Sequence, residues 1–206
     1  MVDYSCNYIR ENVAVCFDYA LDFLNINEEI FINCFTNSKV VKGIENLNPK
    51  YAVGKSGVEI CKEILNEFNV SFDENIEYCS FDRSPYYWVG SFVSYYAFHK
   101  KYKYSYIFSF VTLEKLLRMY NIYHEMDISH FVEKLDDLRK KAPSKLKTIR
   151  EKMKLSQSDL SRISDVSVRT IQSYEQRQKD INNAEVMIVI SLAKALKCNI
   201  EDILEI

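Results

Sequence analysis

Three patterns in this chain place reactive residue types at spacings that chemistry uses. Gly54-Lys55-Ser56-Gly57 has the small residues and the lysine of a phosphate-binding loop. That loop needs a further Gly five residues before the Gly of the Gly-Lys pair, where Pro49 stands, and no strand precedes it. The stretch reads better as a helix start capped by Ser56. His124-Glu125 with His130 offers imidazoles and a carboxylate, but a zinc-protease helix needs its second His four residues after the first. His99, His124 and His130 therefore read as core or surface residues, and Glu125, Asp127, Asp136 and Asp137 as caps and a solvated helix face. Cys6, Cys16, Cys34, Cys61, Cys79 and Cys198 contain no CxxC pair and have no His at zinc-ligand spacing. They read as reduced, buried thiols. The expectation is a chain without a catalytic set, metal site or cofactor, and not an enzyme.

The elements that position the remaining candidates are helical. Hydrophobic residues make up 48% of 206, which excludes wholesale disorder. Only 4 Gly and 3 Pro punctuate the chain, too few for an all-β sandwich or barrel. No apolar run is long enough to span a bilayer, and no basic region followed by an apolar stretch opens the chain. A cytoplasmic protein with no membrane partner is the expectation. The spacing of Tyr8, Ile9, Val13, Cys16, Phe17, Ala20, Phe23 and Leu24 predicts an amphipathic helix over 4–24. Further helices should start at Asn27, Ser56, Ser84-Pro85, Thr112 and Asp127, while residues 70–81 read as extended or loop.

Composition divides the chain near Ala142-Pro143-Ser144. Residues 1–142 carry 16 Lys and Arg against 20 Asp and Glu, whereas 143–180 carry 9 against 5. Of 28 aromatic residues only Tyr174 follows position 142. Pro143 disfavours helix before it and Ser144 is a cap. The reading is all-α, with an aromatic-rich helical domain over 1–142 and a second domain over 143–206.

In the second domain Leu146, Ile149 and Met153 line one helix. Ser156 then caps another and Asp159 answers from its third position, with Leu160 and Ile163 directed inward. That helix stops at Ser164-Asp165-Val166, and Ser167 caps a third over 168–176, with Ile171 and Tyr174 inward. Two short helices joined by a tight turn form a helix-turn-helix arrangement. Apolar spacing resumes with Val186, Val189, Ile190, Ala193 and Leu196 and closes with Ile200, Ile203 and Leu204.

The strings LSQSDLSRISDVSVRTIQSYEQ and LAKALKCNIEDIL make residues 146–204 resemble the phage-repressor-type helix-turn-helix family, often called the XRE family. The resemblance implies a five-helix, lambda-repressor-like DNA-binding domain that usually acts as a homodimer on inverted repeats of double-stranded DNA. By position in the motif, Val168, Arg169, Gln172 and Ser173 would face the major groove. Arg169 suits guanine O6 and N7, Gln172 suits adenine N6 and N7, and Val168 a thymine methyl. Gln157, Ser167, Thr170, Arg177 and Lys179 would contact phosphates. The family usually has Gly where Arg177 stands, so a left-handed backbone here would carry a side chain.

The aromatic run over 86–98 is the other unusual feature. It reads as a large core, as a patch for another protein, or as a small-ligand pocket. Tyr86, Tyr87, Trp88, Tyr95 and Tyr96 are the candidate patch residues. The segments SPYYWVGSFVSYYAFHKKY and MYNIYHEMDISHFVEKL resemble two-part bacterial regulators of the toxin–antitoxin kind. This resemblance implies a repressor whose first domain grips a small partner protein. The alternative is a ligand-responsive regulator.

Overall fold

The computed structural model describes residues 4–52, 54–79, 81 and 83–206, the side chains of residues 4–6 and 52 excepted. Cys6 lies outside the described side chains. The described residues form helices and no strand, an all-α fold. They divide into two compact units, Met1–Leu135 and Asp136–Ile206. The division falls within a helix, ahead of the Ala142–Pro143 junction.

Unit 1 is built around α1 (Tyr4–Asp18), which continues into a π-helical turn over Tyr19–Phe23. Next come α2 (Glu28–Asn37), α3 (Lys39–Glu45), the single turn α4 (Pro49–Ala52) and α5 (Gly57–Glu67). An irregular stretch leads to α6 (Pro85–Lys100), α7 (Tyr104–Phe110), α8 (Leu113–Tyr123) and α9 (Ile128–Lys141). Helix starts coincide with the expected caps. Asn27 accepts from the amides of Glu29 and Ile30, and Ser56 forms a reciprocal capping box with Glu59. Ser84 caps α6, whose first residue is Pro85. The phosphate-loop look-alike is thus a capped helix start, and Lys55 pairs with Glu63 of the same helix.

Helix α1 packs chiefly on α6 and α5. Two of the scarce glycines permit that approach. A Cβ on Gly90 would lie 2.9 Å from the Ala14 Cα and the Val13 carbonyl oxygen, and one on Gly57 would collide with the Asn12 carbonyl. Glycine serves helix packing here, while residues with side chains, among them Asn25, Asn69 and Lys101, take the left-handed turn positions. Phe17 meets Phe31 and Phe35 edge-on at 5.0 and 4.9 Å, and Phe35 meets Tyr104 at 5.0 Å.

The aromatic run is largely interior. Tyr87 and Trp88 are buried and Tyr96 is fully so, while Tyr86 and Tyr95 are half-buried. An exposed patch of all five is therefore corrected: α6 is apolar around its whole circumference, and a helix of that kind is buried. Cys16, Cys34 and Cys61 are buried, Cys198 is half-buried, and Cys79 is exposed, against the expectation for that thiol. Burial pushes the Cys16 thiol up, with Cys61 as its neighbour.

Unit 2 takes the end of α9, then α10 (Lys145–Lys152), α11 (Gln157–Ser164), α12 (Val168–Glu175), a 3₁₀ turn (Ile181–Asn183), α13 (Val186–Ala195) and α14 (Ile200–Ile203). Leu146, Leu160, Ile171, Leu192 and Ile203 form the centre of its core. Four side chains expected on apolar faces are exposed instead: Met153, Ile163, Val186 and Ile200. Each lies toward an end of its short helix, where the spacing that marks a buried stripe loses its hold.

Candidate nucleic-acid interface

Local chemistry sets the two central helices of unit 2. At α11 the Ser156 hydroxyl accepts from the Asp159 amide at 3.0 Å, and the Asp159 carboxylate accepts from the Ser156 amide at 3.2 Å. The Ser156 hydroxyl also donates to that carboxylate at 2.6 Å, and this bond, with the one from the Ser156 amide, holds the Asp159 carboxyl below its usual range. The helix ends because Asp165 turns left-handed at φ 58°, while Ser164 bonds back to the Leu160 carbonyl at 2.7 Å. Val166 plugs the turn into the core. Ser167 then accepts from the Thr170 amide at 3.1 Å and starts α12.

Ile171 and Tyr174 anchor α12 from below. Glu175, buried at its end, accepts two hydrogen bonds from the Arg150 guanidinium at 2.6 and 2.9 Å. It accepts a third from the Gln157 amide at 2.7 Å. Arg150 also donates to the Leu155 carbonyl at 2.7 Å, so one ion pair ties α10, the following turn, α11 and α12 together. The Arg150 guanidinium is held above its ordinary value by these bonds to Glu175. Both charges are desolvated, yet nearly every polar atom is matched, the condition under which such a pair persists.

With that side locked, α12 turns the opposite side to solvent. Arg169 and Gln172 are exposed at a three-residue spacing, and Gln176 continues the row just past the helix end. Gln172 donates to the Gln157 side chain at 3.2 Å, which links the start of α11 to the exposed row.

A helix-turn-helix family model matches residues 146–203. That stretch is a helix-turn-helix domain of the phage-repressor (XRE) type. No curated protein and no solved structure matches the chain. The chain therefore carries the DNA-binding domain of a transcriptional regulator. No helix among the described residues is long and apolar enough to cross a membrane.

Within the helix-turn-helix domain the expected site residues separate. Arg169, Gln172 and Lys179 are exposed, and Val168 is half-exposed at the first turn of α12. Ser167 and Thr170 share a hydroxyl contact at 2.8 Å beside that turn. Ser173 requires correction. It is buried and donates to the Thr170 carbonyl at 2.8 Å, so it belongs to the inner side of the helix. Arg177 requires another. Its backbone is left-handed, at φ 53°, but its guanidinium is consumed inside the domain. It donates to Glu205 at 2.8 Å, to the Ala142 carbonyl at 2.6 Å and to the Pro143 carbonyl at 3.2 Å. Arg139 joins Glu205 from α9 at 3.2 Å. A phosphate would have to displace that set of partners.

Sequence reasoning missed Arg150, Glu175 and Gln176. The Tyr-Glu ending of α12 signalled that Glu175 mattered, but nothing in the spacing pointed it to an arginine 25 residues upstream. Gln157 was expected at a phosphate; its amide nitrogen is instead given to Glu175.

Proposed function

We propose that this chain is a sequence-specific repressor that binds its operator as a homodimer and reads bases with Arg169, Gln172 and Val168. The observation that carries the reading is the exposed Arg169–Gln172 row on a helix whose other side is locked by Glu175. Arginine and glutamine are the two side chains best shaped for bidentate contact with guanine and adenine edges. Lys179 and the hydroxyls of Ser167 and Thr170 lie beside that row in sequence and supply phosphate contacts. Support for the dimer is the apolar surface left exposed on unit 2, Ile163 at 54%, Val186 at 70% and Met187 at 69%. In vitro selection from random duplexes tests the reading. It should return a two-fold symmetric site with half-sites about one helical turn apart. Enrichment of no sequence would overturn it.

For unit 1 the proposal is an antitoxin-like grip on a small partner protein, with a ligand-responsive role as the second reading. The aromatic side chains of α6 are mostly interior, and a cleft of 490 Å³ opens beside them. That volume lies within the range of small-molecule sites, about 300–1,000 Å³.

A further inference from the structure

We infer that this cleft, formed by residues of α1, α6 and α8, is a binding site for a small aromatic carboxylate. The inference deepens the ligand-responsive reading of unit 1 by naming the chemistry of the ligand.

Two cations and one carboxylate line the cleft, together with Trp88, Phe92 and Tyr120. Glu11 is already engaged through both oxygens. One accepts from Arg83 at 3.1 Å and the other from the Tyr87 hydroxyl at 2.5 Å. Arg10 has no such partner. Its Nε donates to the Ser91 hydroxyl at 2.7 Å, and its guanidinium carbon lies 5.5 Å from the centres of both the Phe92 and Tyr95 rings. Ring faces hold the charge in place without accepting its N–H groups in the manner of a carboxylate. The two Nη groups thus have no acceptor among the described residues. A second donor, on a residue of the same lining, is also unmatched. The Trp88 indole N–H is buried and has no acceptor among the described residues. A guanidinium with two unengaged Nη groups in the lining of a cleft offers a pair of parallel donors to an acceptor from outside the chain.

The complement of these features is specific. A carboxylate is acceptor-only and takes two parallel bonds from a guanidinium. The walls beside the cations are flat rings, with Trp88 and Phe92 stacked at 4.3 Å and Tyr120 edge-on to Trp88 at 5.7 Å. They suit a planar apolar body. A compact phosphate makes no use of these walls. A cationic arene meets Arg10 and Arg83, and a neutral arene leaves the Arg10 charge unmatched.

Trp88 is the one tryptophan in the chain, so selective indole excitation reports from the cleft itself. The probe is benzoate, titrated into the full-length protein, with benzyl alcohol, benzylammonium and inorganic phosphate as comparisons. Benzoate should give a saturable change in Trp88 emission with a Kd at or below about 1 mM, and each comparison should bind about tenfold more weakly or not at all. Arg10→Gln should weaken benzoate by about tenfold or more. The proposal is overturned if benzoate gives no saturable change, if benzyl alcohol or phosphate binds as tightly, or if a folded Arg10→Gln variant binds benzoate unchanged. Should that variant fail to fold, the benzoate-to-benzyl-alcohol comparison on the unmodified protein decides. Benzoate binding that leaves operator affinity unchanged supports the site and overturns the ligand-responsive reading, which separates the two.

Discussion

Arg150 and Glu175 meet in a two-pronged ion pair, with Nε to Oε1 at 2.6 Å and Nη2 to Oε2 at 2.9 Å. Their side chains are 8% and 2% exposed, so the pair is held away from water. Glu175 is the last residue of α12, and Arg150 belongs to the first helix of the motif. The pair therefore fixes the inner side of α12 opposite the exposed row of Arg169, Gln172 and Gln176. Glu175→Ala leaves the buried guanidinium with only the Leu155 carbonyl and the exposed Glu151 carboxylate, 3.6 Å away, and should cost about 3 kcal/mol of stability in the helix-turn-helix domain. Denaturant unfolding followed by far-UV circular dichroism reads the loss. An Arg150→Met, Glu175→Leu double variant should recover most of it, because no charge is left without a partner.

Arg169→Ala and Lys179→Ala should differ in kind. The first should relax sequence preference by about 1–3 kcal/mol at one position, since it removes a base-edge contact. The second should weaken all duplexes alike and lower the slope of log affinity against log salt by about one. Anisotropy titrations on operator and scrambled DNA at several salt concentrations separate the two. Equal affinity of Arg169→Ala and the unmodified protein for both duplexes would remove α12 from the groove.

Arg177→Ala should leave the salt slope unchanged, because the guanidinium serves Glu205 and two carbonyls. The same change should lower stability by about 1–3 kcal/mol, since Glu205 is buried and keeps only part of its partners. Arg177→Gly should be less damaging by about 1 kcal/mol, because glycine adopts the left-handed φ without steric cost. Thermal unfolding of the two variants tests the order.

The Asp159 carboxyl gives the helix-turn-helix domain a pH dependence. Its native pKa is lowered by the bonds from the Ser156 hydroxyl and amide, so its contribution is present above the ordinary carboxylate range near about 4. It is lost as pH falls through the native value, once the protonated group no longer favours the folded form. Melting temperature followed from neutral pH downward should fall, and Asp159→Asn should flatten part of that fall.

Gly90→Ala should destabilise unit 1 by about 1–3 kcal/mol. The new methyl would meet backbone atoms of α1 at 2.9 Å, and backbone cannot step aside as a flexible side chain can. Trp88 emission during urea unfolding follows this unit, since Trp88 lies on the same helix.

Local order was legible wherever a capping side chain meets a hydrophobic period. Asn27, Ser56, Ser84, Thr112, Ser144, Ser156 and Ser167 all accept from an amide in the first turn of the helix they precede. These bonds join neighbours in the chain and need no distant partner. The missed elements are α3, α4 and α7, short helices whose apolar residues are too few to display a period. The break of α1 into a π-helical turn at Tyr19 was equally silent.

Residue order alone thus determined the all-α class, the capped pair α11 and α12, and the inward side of α12 at Ile171 and Tyr174. All of these follow from helical period and first-turn hydrogen bonds. Tertiary structure decided which polar groups turn inward. It took Arg177 to Glu205, Glu175 to Arg150 and Ser173 to its own helix, and it left the Arg10 Nη groups and the buried Trp88 indole N–H without acceptors among the described residues. Burial penalises an unpaired charge, and which charge finds which partner depends on distances across the fold that spacing along the chain does not encode.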